Sequence, residues 1–154
     1  MSTSEGSEGR ASRRAIHTLH RYYIWQNRMR VEFENVLTDA AERGVPVTSG
    51  SDEEIHAFMW MSYWYAGLYV VVEGWRELDL RDPEVDQLLA SANVELLRRY
   101  RNGVFHFQRQ YFDERFVGLL ADGENVVNWV RSLNQALGRV FLERLDDLSG
   151  RGNV

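Results

Sequence analysis

Arg101-Asn102-Gly103-Val104-Phe105-His106 places a phosphate-binding cation and a near-neutral base within two helical turns of each other. These are the two side chains that metal-free cleavage of an RNA phosphodiester requires. A guanidinium stabilises the charge that builds on the phosphate oxygens, and an imidazole moves the proton of the attacking hydroxyl. An Arg and a His at this spacing also arise by chance on ordinary charged helix faces, so the neighbouring residues decide what the pair means.

On a helical wheel of about 100° per residue, Leu96, Leu97, Tyr100, Gly103, Val104 and Phe107 gather on one side, while Arg98, Arg99, Arg101, Asn102, His106 and Arg109 share the other. Asn102 and His106, four apart, stack one above the other, which lets the amide hold the imidazole in one tautomer. Arg101 stands about 140° from His106, too wide for one helix to grip one phosphate with both. Phe105 falls in the polar arc, where an aromatic ring calls for a covering partner. Both features point to a homodimer through this helix.

The elements that must carry these residues are helical throughout. A first helix is expected over 12–43, with Ile16, Leu19, Tyr22, Trp25, Met29, Phe33, Val36 and Ala40 on one face, ending at Gly44-Val45-Pro46. Ser51 and Glu54 form a capping box that starts a second helix running to about Leu78. Asp82-Pro83 opens a short third helix over 84–90, and a fourth spans 92–108. A turn of helix over 113–120 precedes a final amphipathic helix over 124–148. The expected fold is all-α, a compact bundle of four to five main helices, with one domain at 14–149 behind a polar, disordered tail at 1–13.

With 154 residues the chain suits one domain of ordinary size, and 44% hydrophobic residues suffice for a real core. The longest apolar run, Ala57 to Val72, is short for a membrane span and is bracketed by Glu54 and Glu73, so no membrane role is expected. A net charge of −5 gives no global pull toward nucleic acid, and any RNA contact must be local. Arg98, Arg99 and Arg109 form a basic cluster on this acidic chain and are the candidate substrate-binding residues. Cysteine is absent, which is compatible with a cytoplasmic location. His17, His20 and His56 form no convincing ligand set, and neither metal nor cofactor is expected. Glu73 ends an apolar helix, where its carboxylate needs an arginine of the fourth helix, and its expected role is to orient Arg98 or Arg101. Tyr100 and Trp75 read as core or interface residues.

The segment from about Tyr69 to Phe116, with Glu73-Gly74-Trp75, Leu97-Arg98-Arg99-Tyr100 and Arg101-Asn102 leading to His106, resembles the HEPN superfamily of all-helical domains. That family's motif is an Arg, four to six intervening residues and a His, often with Asn directly after the Arg. The resemblance implies a metal-independent endoribonuclease, assembled from two such helices in a dimer, that leaves 2′,3′-cyclic phosphate and 5′-hydroxyl ends. It implies that Arg101 and His106 are catalytic and Asn102 supporting, in a toxin, defence or stress setting with an antitoxin or nucleotidyltransferase as a conceivable partner. Some members carry a Tyr two residues after the His, where such a partner modifies them, and Gln108 stands there instead. Other members are catalytically silent, which keeps a dimerisation or RNA- or nucleotide-binding module open beside the enzyme.

Overall fold

In the computed structural model, residues 4–150 are described as backbone and residues 13–146 as side chains as well. Six helices fill the described residues, and no strand occurs among them. The first, α1 (Ser4–Glu42), begins inside the segment expected as a tail; residues 1–3, and the side chains up to residue 12, lie outside the described residues. It ends where Gly44 takes a φ of 64°, in the left-handed region that glycine enters without steric cost.

The next helix, α2 (Asp52–Glu77), starts at the N-cap Ser51, whose hydroxyl accepts the Glu54 N–H at 3.1 Å. The Glu54 carboxylate reaches back to the Gly50 N–H, one residue earlier than the reciprocal bond of a capping box. α1 and α2 lie antiparallel and in close contact. Gly67 and Gly74 leave room for Gln26 and Leu19, and a methyl group at Gly67 would come within 2.7 Å of the Gln26 Cβ.

α3 (Pro83–Leu89) is capped by Asp82, which accepts from the Glu84 and Val85 N–H groups and also takes Arg139 at 2.8 Å. α4 (Asn93–Phe105) packs on α2, and the buried Asn93 pins its start by exchanging two hydrogen bonds with the Glu124 backbone. α5 (Glu114–Asp122) lies within two residues of the bounds expected from the sequence, and it closes over Gly103. The last helix, α6 (Val126–Gly150), runs back along α1. There Asn134 bonds Gln26 and Asn27, and Phe141 packs against Tyr23 and His20.

One apolar cluster joins all six helices. Trp64, Leu68, Val72 and Trp75 of α2 lie at its centre, with Val85, Leu97, Tyr100, Leu119, Leu133 and Phe141 around them. α2 is therefore the central helix, although Phe58, Met59 and Tyr63 of its apolar run face the surface. No described helix is long and apolar enough to cross a membrane.

Candidate functional site

The helix that carries the motif is shorter than its periodicity predicts. α4 ends at Phe105, and His106 is its C-cap, with extended φ and ψ of −120° and 126° and its N–H on the Asn102 carbonyl. The chain then leaves the helix axis and is held in a loop. Gln108 donates to the His106 carbonyl at 2.6 Å and accepts from the Arg115 guanidinium of α5. This ending changes three expectations. Phe107, placed on the core face by the wheel, is 92% exposed. Arg109 belongs to the loop and not to the arginine-bearing helix face. The 140° separation between Arg101 and His106 no longer applies, because only Arg101 stands on the helix.

Arg101 is fixed within the chain. Its Nη2 donates to Glu73 Oε1 at 2.5 Å, and its guanidinium carbon lies 5.3 Å from the centre of the Tyr69 ring. Tyr69 and Glu73 are four apart on α2, so one face of that helix supplies both a seat and a counter-charge. The Arg101 side chain is 24% exposed, and its Nε is buried with no hydrogen-bond partner. Burial first, and the Glu73 charge second, push the Tyr69 hydroxyl above its ordinary pKa, so it stays a neutral platform.

His106 is exposed at the end of α4, five residues beyond this anchored cation. Among the described residues no hydrogen bond joins its imidazole to the Asn102 amide; Asn102 supports it through the backbone instead. Phe105 is 54% exposed, its ring 6.5 Å from Tyr63, at the edge of a cavity of about 410 Å³ whose walls include Tyr22, Trp25, Met29 and Trp60.

The basic cluster is divided among acids. Arg98 makes two bonds to Glu95, at 2.8 and 2.6 Å, which holds the Glu95 carboxyl below its usual range and raises the Arg98 pKa. Arg99 lies 3.6 Å from Glu114. Arg109 is exposed and has no ion pair among the described residues. Arg98 and Arg99 therefore meet a phosphate only in competition with carboxylates, whereas Arg109 does not. Among the described residues no three His, Asp or Glu side chains are grouped so that they could hold a metal ion.

The sequence reading did not single out Tyr69 as the seat of Arg101, although its i, i+4 relation to Glu73 carried that signal. It also passed over Tyr111 and Phe112, exposed in the loop after α4, where no periodic pattern marks a ring's surroundings. Compared with known protein families, curated proteins and solved structures, the chain matches none of them.

Proposed function

We propose that the chain is a HEPN-like, metal-independent endoribonuclease acting as a homodimer on RNA, in a toxin, defence or stress setting. The observation that carries this reading is the pairing of an anchored cation with an exposed base: Arg101 is held by Glu73 over Tyr69, and His106 stands unencumbered at the end of the same helix. His106 takes the proton of a 2′-hydroxyl, and the 2′-oxygen attacks the adjacent phosphorus. Arg101 stabilises the added negative charge on the non-bridging oxygens. The bond to the 5′-oxygen breaks, and that oxygen leaves with a proton from water. Asn102 accepts the His106 N–H through its backbone carbonyl, a bond independent of its side chain.

The exposed Phe105 and the aromatic cavity beside it support the dimer, because a second chain seated there covers rings that otherwise face water. An alternative is a non-catalytic RNA- or nucleotide-binding module. The lack of a hydrogen bond between the Asn102 amide and the His106 imidazole among the described residues favours it, since that amide then does not hold the base in one orientation. Turnover separates the two. Purified protein is expected to cleave single-stranded RNA in excess EDTA, with His106→Ala slower by roughly 10² to 10⁴. RNA binding without cleavage would leave the binding module.

A further inference from the structure

We propose that the loop between α4 and α5 is a docking platform for unpaired bases of single-stranded RNA, with Phe107, Tyr111 and Phe112 as stacking surfaces and Arg109 as the phosphate contact. The proposal rests on the ribonuclease reading for its choice of ligand, and it assigns the residues that hold the unpaired strand. These three residues are 92%, 76% and 77% exposed, so most of each faces water. Tyr111 and Phe112 meet edge to face at 4.9 Å, which leaves one face of the pair open. A cleft of about 190 Å³ adjoins them, walled by Phe58, Phe116 and Leu120.

The composition between the rings separates an RNA platform from a protein-docking patch. Gln108, Arg109 and Gln110 interleave with them, and residues 106–112 contain no acid. Bases stack on rings irrespective of sequence, the Arg109 guanidinium meets the phosphates between them, and the Gln110 amide reaches base edges, while Gln108 is held by His106 and Arg115. The nearby acids each have a hydrogen-bond or ion-pair partner, and Glu54 lines the adjoining cleft. Asp113 caps α5 through the Arg115 N–H, Glu114 faces Arg99, and Glu54 accepts from Gly50. The loop also begins at His106, so a strand lying along it brings a phosphodiester to the proposed base.

The test uses the full chain carrying His106→Ala, to suppress cleavage, and a fluorescein-labelled oligouridylate of about 12 nucleotides followed by anisotropy. Phe107→Ala and Tyr111→Ala are each expected to weaken binding about 5- to 150-fold. Phe107→Trp and Tyr111→Trp should bind at least as well as the parent, because the stacking face is kept. Leu142→Ala, which removes an exposed apolar side chain on α6, should leave binding unchanged. The rings are exposed, so circular dichroism should report an unaltered fold. The platform is overturned if the alanine variants bind like the parent, if the parent does not bind the oligomer, or if the substitutions shift only the sedimentation coefficient, which would make the loop a protein interface. Cleavage by the wild-type loop with no change in KM on losing the rings would sink the platform and leave the ribonuclease standing. Ring-dependent binding without cleavage in the wild type would do the reverse.

Discussion

At the scale of single residues, the Arg101–Glu73 pair makes a prediction that separates positioning from neutralisation. If Glu73 holds the guanidinium where the phosphate will sit, Glu73→Gln lowers kcat roughly tenfold or more, because a misplaced cation forfeits transition-state stabilisation. If Glu73 only competes with phosphate, the same change raises activity. The pair is partly open to water, with Glu73 45% exposed, so the substitution should alter unfolding free energy by less than about 1 kcal/mol. Steady-state kinetics beside a urea melt read both quantities. A second residue-scale prediction concerns His20, which packs against Tyr23 and Phe141. Burial first, and the charge of His17 second, lower its pKa below the ordinary histidine value. The folded chain then binds this proton less readily than the unfolded chain. Its stability is full above about pH 6.5 and is lost as pH falls from there through the folded pKa. Between about pH 7.5 and about pH 5.5, Tm should fall more in the wild type than in His20→Gln. Equal slopes would contradict this account.

At the scale of elements, the junction of α2 and α4 depends on a buried hydroxyl pair, Ser62 Oγ and Tyr100 Oη at 2.9 Å. Burial pushes the Tyr100 pKa up to about 12, so the pair remains neutral across the physiological range. Tyr100→Phe leaves Ser62 facing an apolar ring and should cost about 1 to 2 kcal/mol in a denaturant melt. No loss would show that Ser62 turns to its own backbone. The starts of α2 and α3 were legible because their chemistry is local: Ser51 and Asp82 cap them as their sequence patterns predict. The end of α4 was not. The apolar pattern through Phe107 continues past Phe105, but the tie between Gln108 and Arg115, seven residues apart, belongs to tertiary structure and leaves no periodic trace. Tyr22 and Trp25 show the same limit. They follow the helical period of α1, yet they line a surface cavity and not the core, because period identifies a face without saying what covers it. At the candidate site, the residue types were readable from the motif, whereas the seat of Arg101 required the register of α2 against α4.

At the scale of the whole molecule, the Phe105 cavity predicts self-association. Sedimentation at micromolar concentration should give a species twice the 18.0 kDa chain, and Phe105→Asp should return it to the monomer. A wild-type monomer throughout that range would remove the dimer and with it any site shared between chains. If the chain is the ribonuclease proposed, its net charge of −5 requires RNA to be gathered locally and against the global field, and cleavage should slow steeply as salt rises.

The central claim, that His106 activates a 2′-hydroxyl while Arg101 stabilises the phosphate, is tested most directly by the chemistry of the cut ends. A short RNA incubated with the protein in EDTA and analysed by mass spectrometry should yield 2′,3′-cyclic phosphate and 5′-hydroxyl fragments. The same RNA with 2′-O-methyl groups throughout should stay whole, and both His106→Ala and Arg101→Ala should leave the unmodified RNA essentially uncut. Ends bearing 3′-hydroxyl and 5′-phosphate, cleavage of the methylated strand, or equal cutting by either variant would contradict the account.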